Sequence, residues 1–171
     1  MKKLIPYNRI AHAAKQCAKS INEARENNPI LADKPLVYLS VLNDSILWAS
    51  EVIKETTVSN KVDFIQLLKN KKGEYSVDIE PDLNLKGCHV IILTGLVSSA
   101  NKMRVVKEYL LSKQDPEWID VCTLLAREGV VEYPKYLGYL IGKNDYVVGF
   151  GINNAESHRG DIKNIYHKTK K

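Results

Sequence analysis

The chain has 171 residues, 44% hydrophobic and 26% charged, with 25 Lys and Arg against 20 Asp and Glu for a net charge of +5. That balance fits a single globular domain with a sizeable core and excludes a long disordered or low-complexity chain. The longest apolar runs, "VIIL" and "LVYLSVL", are far too short to cross a bilayer, and "MKKLIPYN" has no apolar run behind its basic start, so neither a membrane span nor a targeting segment is expected.

Residues 8–26 place Ile10, Ala14, Cys17, Ile21 and Ala24 three and four apart, which predicts an amphipathic helix that Asn8 could cap. "NNPILADKP" breaks the pattern with two prolines. "LVYLSVL" (36–42) reads as a buried strand, "NDS" as a turn and helix cap, and "ILWASEVIKE" as the helix that follows. "KVDFIQLLK", the turn "NKKGEY" and "YSVDIE" read as a hairpin with an exposed tip. "CHVIIL" (88–93) is the next strand, 94–101 its loop, and 101–113 a helix. "WIDVCTLLA" alternates as a strand, "EYPKYLGYLIG" and "NDYVVGFG" read as two short strands, and "INNAESHRGDIKNIYHKTKK" is polar and turn-rich.

Strands alternating with helices imply an α/β fold whose central, mainly parallel sheet is flanked by helices. Ligands of such sheets bind at the carboxyl ends of strands. The loops that qualify are "LNDS" and "TGLVSSAN". Small side chains at Ser98, Ser99 and Ala100 would let a phosphate approach backbone amides at a helix start, with Asn101 and Lys102 in the first turn. The plain alternative is that Ser98, Ser99 and Asn101 merely cap that helix.

Cys17, Cys88 and Cys122 are odd in number and widely separated. They argue against a disulfide framework and for a reducing, cytoplasmic setting. Cys17 and Cys122 are expected as buried small hydrophobes. His12, His89, His158 and His167 are scattered, so no zinc site is expected. The basic ends, Lys2, Lys3 and "YHKTKK", read as solvating tails that could also touch nucleic acid or phosphate.

"LVYLSVLNDSILWASEVIKE", "KVDFIQL", "HVIILTGLVSSANKMRVVKEYL", "VCTLLAREG" and "KYLGYLIGKNDYVVGFGINNAESHRG" occur in an order and spacing that resemble the hypoxanthine-guanine phosphoribosyltransferases, the type I purine phosphoribosyltransferase family. The resemblance covers nearly the whole chain. It implies one phosphoribosyltransferase-like domain over 1–171, with a core of about 30–150 and a small hood formed from the chain ends. It also implies dimers or tetramers. The family joins a purine to the ribose of phosphoribosyl pyrophosphate with magnesium bridging the oxygens.

Laid on the family's "VEDIIDTGKTM", this chain reads "LTGLVSSANKM". The two acids that face ribose and metal fall at Thr94 and Gly95, and the presumed proton acceptor falls at Ser98. A serine is a very poor base at neutral pH. No catalytic acid or base and no metal site are therefore expected, and restoring acids at Thr94, Gly95 and Ser98 should raise activity. The family's first loop, with its nonproline cis peptide, aligns with Leu42-Asn43. Arg127 stands for the lysine that contacts the purine carbonyl. Tyr146 stands for the stacking aromatic, and Val147 would offer backbone groups to the base edge. The family's pyrophosphate-facing aspartate is Asn153, and its arginine is Arg159. The mobile lid shrinks to little more than a hairpin.

The ligand expected is a purine nucleotide or another phosphate-bearing molecule, bound by a catalytically impaired protein that forms a homo-oligomer or pairs with an active paralogue. An active enzyme using magnesium, making IMP or GMP, is the first alternative. A nucleic-acid-binding regulator on the same fold, helped by the +5 charge, is the second.

Overall fold

The computed structural model describes residues 2–130, 134–152 and 162–168. In chain order the elements are β1 (Lys2–Ile5), α1 (Tyr7–Glu26), α2 (Pro29–Ala32), β2 (Leu36–Leu42), α3 (Ile46–Lys54), β3 (Asn60–Lys69), β4 (Tyr75–Ile79) and β5 (His89–Val97). They continue with α4 (Ala100–Tyr109), a π-helical turn (Leu110–Gln114), β6 (Trp118–Arg127), β7 (Tyr136–Ile141), β8 (Val147–Val148) and β9 (Ile165–His167). The larger sheet runs β4-β3-β2-β5-β6-β7. Its neighbours are parallel except for the antiparallel β3–β4 hairpin at one edge.

β2, β5 and β6 read as almost unbroken apolar runs because both faces of the sheet are covered. On one face Ile10, Ala14 and Ile21 of α1 and Trp48 and Val52 of α3 pack on Leu36, Tyr38, Ile91, Leu93 and Leu124. On the other, Met103, Val106 and Leu110 meet Val37, Leu39, Ile92 and Val121. The three cysteines are buried and free.

Several expectations change. β5 continues past residue 93 because Leu96 and Val97 pair with Leu125 and Ala126 of β6. The connection after it shrinks to Ser98 and Ser99, and α4 begins at Ala100. The helix expected to 113 converts to a π turn that Asp115 ends in the left-handed region, φ 52°. "NNPILADKP" is not only a break. Pro29 opens α2, where its missing N–H costs nothing, and the Asn28 side chain accepts from the Ile30 amide at 3.0 Å. Asn8 lies inside α1, whose cap position is Pro6. Ser45 does not cap α3, because its hydroxyl donates to the Val41 carbonyl.

The chain ends carry strands too short to show a period. β1, β9 and β8 form a second antiparallel sheet, the hood, in the order β1-β9-β8. Gly149 (φ 109°) follows β8 with the Asn164 carbonyl 2.1 Å from where a β-carbon would stand, so only glycine lets these segments approach.

A buried polar chain seals the amino ends of the strands. Arg25 Nη1 lies 3.0 Å from His89 Nδ1, and its Nη2 donates to the carbonyls of Lys34 (2.7 Å) and Ala32 (3.4 Å). A guanidinium only donates, so Nδ1 accepts and the ring proton sits on Nε2, which donates to Asp120 Oδ2 at 2.9 Å. Lys135 Nζ and Trp118 Nε1 complete the carboxylate's partners at 3.2 and 3.3 Å. Burial opposes the charge on Asp120, yet the hydrogen bonds from His89 and Lys135 and the nearby ammonium prevail and hold its carboxyl below the ordinary aspartate value.

Candidate functional site

At the opposite, carboxyl ends of the strands, the turn after β2 and the turn after β5 face each other across a cavity of about 520 Å³. Leu42 and Asn43, joined by a cis peptide, form one wall. Ser98 and Lys102 form another, and Tyr146 and Ile152 close the hood side. The β3–β4 hairpin supplies Gln66, Lys69 and Tyr75. Its turn is fixed by Asn70, whose Oδ1 accepts from the amides of Lys72 (2.9 Å) and Glu74 (3.0 Å). The shortened lid is therefore a closed hairpin with an exposed tip.

Lys102, in the first turn of α4, reaches across to the β2 turn. Its Nζ donates to both carboxylate oxygens of Asp44, at 3.1 and 3.2 Å. Ser99 occupies the cap position of α4 in extended conformation without a side-chain cap hydrogen bond. That removes the capping explanation for Ser99 and leaves the helix start to its backbone amides.

Other anticipated residues spread out. Ser99, Ala100 and Arg127 line a neighbouring cavity of about 310 Å³, and Ser98 is the wall common to both. Arg127 Nη1 donates to the carbonyls of Lys143 (3.1 Å) and Asp145, bracing the turn that delivers Tyr146. Tyr146 is half-buried with Lys168 Nζ 5.9 Å from its ring centre. Val147 is buried and pairs in register with His167 in the hood. Asn101 is exposed on α4 and lines neither cavity. Asn153 and Arg159 lie outside the described residues.

The two positions of the family's acid pair are closed. Thr94 is 0% exposed, and its hydroxyl has no partner among the described residues. A β-carbon on Gly95 would stand 2.3 Å from the Asp44 carbonyl oxygen and 3.1 Å from the Ile152 side chain. The expectation that acids could be restored at both positions is therefore corrected, since one lies inside the core and the other has no room. The described residues do not make a magnesium site either. Asp44 is the one carboxylate among the described residues lining the larger cavity, and an ammonium already holds it. Among the described residues no three His, Cys, Asp or Glu gather, and no helix is long and apolar enough to cross a membrane.

Sequence reading passed over Asp44, Gln66, Lys69 and Tyr75. Asp44 was legible as an acid inside the first ligand loop, "LNDS". The hairpin residues were not, because only the β2–β3 and β3–β4 registers bring them to the cavity mouth.

A mainly parallel sheet with an antiparallel edge, covered on both faces, hooded by its own chain ends and open at the loops after β2 and β5, defines a type I phosphoribosyltransferase-like fold. The hypoxanthine-guanine phosphoribosyltransferase of Bacillus anthracis superposes with a TM-score of 0.84, covering 96% of this chain and 95% of that one at 23% identity. The hypoxanthine phosphoribosyltransferase of Trypanosoma cruzi in complex with its product IMP gives 0.87, covering 98% and 93% at 20% identity. In sequence, the chain is 30% identical over 132 residues to the hypoxanthine phosphoribosyltransferase of Escherichia coli, covering 72% of this chain and 73% of that protein. The chain belongs to the hypoxanthine(-guanine) phosphoribosyltransferase family. No family model matches it.

Proposed function

We propose that the protein binds a purine mononucleotide in the larger cavity and turns over the parent phosphoribosyl transfer very slowly or not at all. One observation carries this reading. The start of α4, uncapped by Ser99, opens beside Lys102, while the strand end that precedes it holds a sealed Thr94 and a crowded Gly95 where acids would be needed. Amides at a helix start bind a phosphate without charged side chains. Ser98 at the cavity rim has no charge with which to take a proton. The solved T. cruzi relative with bound IMP makes IMP and GMP the natural probes.

A second reading, an active purine phosphoribosyltransferase making IMP or GMP, is favoured by a specific observation. The Leu42-Asn43 turn and Tyr146 line one cavity, Arg127 braces the turn before Tyr146, and among the described residues the cavity carries one carboxylate, Asp44. Turnover of hypoxanthine, guanine and xanthine with phosphoribosyl pyrophosphate and magnesium separates the two. We expect at most a small fraction of the roughly 10 per second typical of enzymes. A rate near one per second establishes the second reading. Calorimetry of GMP against guanosine tests the shared part. GMP should bind more tightly, and its affinity should fall as salt rises.

For assembly, we infer pairing between copies of this chain. Val62, Phe64 and Leu68 share one face of β3, 40%, 45% and 52% exposed, with Gln66 between the last two, a largely apolar row that a second copy would cover. A monomer by sedimentation at micromolar concentration overturns that inference.

A further inference from the structure

We propose that Asp44 is the carboxylate that accepts hydrogen bonds from the sugar hydroxyls of the bound nucleotide, replacing from the β2 turn the acids that the chain lacks at the end of β5. The proposal rests on the nucleotide-binding reading.

Space is the first argument. An acid side chain at position 95 is excluded because the Asp44 main chain already occupies its place, with the carbonyl oxygen 2.3 Å from the would-be β-carbon. The turn that fills the space carries a carboxylate of its own. That carboxylate lines the same cavity as Ser98, Lys102 and Tyr146, and no other described lining residue is acidic. The chain thus carries a carboxylate at 44, on the turn facing a position 95 that has no room for one.

Hydrogen-bond capacity is the second argument. Asp44 is 9% exposed, so its carboxylate needs partners. Lys102 Nζ supplies one contact to each oxygen, at 3.1 and 3.2 Å. A carboxylate offers about four acceptor sites. Among the described residues, roughly half of that capacity is left for donors from the cavity. A vicinal diol presents two hydroxyl donors at a spacing that two carboxylate oxygens can receive. A purine base could also donate N–H groups, but Tyr146, the aromatic wall suited to a base, belongs to the hood side.

Charge is the third argument. Lys102 stands in the first turn of α4, where the phosphate would be held, and it is already neutralised by Asp44. Any phosphate held there meets the same helix-start amides and the same repulsion from the carboxylate, so a ligand that also brings hydroxyls gains by adding donors that the carboxylate accepts. Asp44 therefore works as a selectivity element for ribonucleotides over bare phosphate esters.

The test is calorimetry of GMP and 2′,3′-dideoxy-GMP with the wild-type chain and with Asp44→Asn. Hydrogen bonds to a charged group support a preference of about tenfold or more for GMP in the wild type. In Asp44→Asn that preference should fall to about twofold. Its affinity for dideoxy-GMP should hold or rise, because Lys102 is released and a repulsive charge is gone. Equal wild-type affinities for the two nucleotides overturn the proposal without any variant. A preference that survives Asp44→Asn, or a variant that weakens both nucleotides equally, also overturns it and leaves Asp44 as an anchor for Lys102. If the wild type binds neither nucleotide, the nucleotide-binding reading falls as well, an outcome distinct from binding without sugar preference.

Discussion

The two halves of β5 treat buried polar atoms in opposite ways. At its start, His89 is fully buried with both ring nitrogens engaged, one by Arg25 and one by Asp120. In its carboxyl half, Thr94 is equally buried and its hydroxyl has no partner among the described residues. The amino ends of the strands are closed by side chains that satisfy one another and tie α1, α2, β5 and β6 together. The carboxyl ends are left with an open cavity, a helix start without a side-chain cap, and one ion pair across the gap. In an α/β sheet this asymmetry separates the work of holding the fold from the work of meeting a ligand. It also implies that substitutions at the two ends should be read by different measurements.

The largest effect expected is on stability, at the amino end. Asp120→Ala leaves the buried Nε2–H of His89 without its charged acceptor, and Lys135 and Trp118 without theirs, and hydrogen bonds to a charged group are worth about 1.5–3 kcal/mol each. Chemical denaturation should show the midpoint fall sharply, with nucleotide binding preserved wherever the protein remains folded. The sign of the pH dependence follows from the depressed carboxyl. The unfolded state binds the proton first, so the contribution of Asp120 is full above the unfolded value of about 3.9 and is lost as pH falls through the lower folded value. Asp120→Asn should therefore flatten the acid limb of stability below about pH 4. An unchanged acid limb would mean that other carboxylates dominate it.

The next effect sharpens the contrast within the cavity. Gly95→Asp drives a β-carbon against the Asp44 carbonyl and should cost about 1–3 kcal/mol, as overpacking does. It should bring no gain in turnover, because the turn must shift to admit it. Ser98 is exposed at the cavity rim, so Ser98→Asp should leave stability within about 0.5 kcal/mol. It is the acid restoration that the fold admits. A general base is worth roughly 10²–10⁴-fold, so a rise of at least about tenfold in hypoxanthine turnover is expected from Ser98→Asp alone. A rise from Gly95→Asp instead would show that the β2 turn yields easily and that the crowding does not govern the site.

What the sequence made legible follows the same division. The buried strands, the amphipathic face of α1 and the order of the sheet were readable because hydrophobic period and run length report burial directly. Leu42, Asn43 and Tyr146, named from resemblance, meet Ser98 and Lys102, named from the helix start, at one cavity. The Arg25–His89–Asp120 chain was not readable. Its members lie 64 and 31 residues apart, and no local pattern marks a polar residue that only tertiary pairing makes tolerable inside. Arg127 was expected to contact ligand; that its guanidinium also holds the carbonyls of Lys143 and Asp145 was not readable, because it depends on where the following turn passes. The crowding at Gly95 was hidden for a related reason, since a glycine in sequence does not say whether its missing side chain faces solvent or another backbone.

The smallest effect expected is also the cleanest separation of capping from binding. Asn28 and Ser99 both stand at helix cap positions with residue types that favour capping. Asn28 makes the bond, to the Ile30 amide, and Ser99 does not. Asn28→Ala should cost about 1 kcal/mol. Ser99→Ala should stay within about 0.5 kcal/mol, because the hydroxyl it removes satisfies no helix amide. The same variant should leave GMP affinity nearly unchanged, since the phosphate is taken to meet backbone N–H groups and not the Ser99 side chain. Ala100→Pro separates the alternatives further, because proline fits the first helical position and deletes one amide of the helix start. If Ser99→Ala destabilises the fold as much as Asn28→Ala, the serine caps α4 in solution and the helix start is not free for an anion. If Ala100→Pro folds with wild-type GMP affinity, the Ala100 amide takes no part in holding the phosphate.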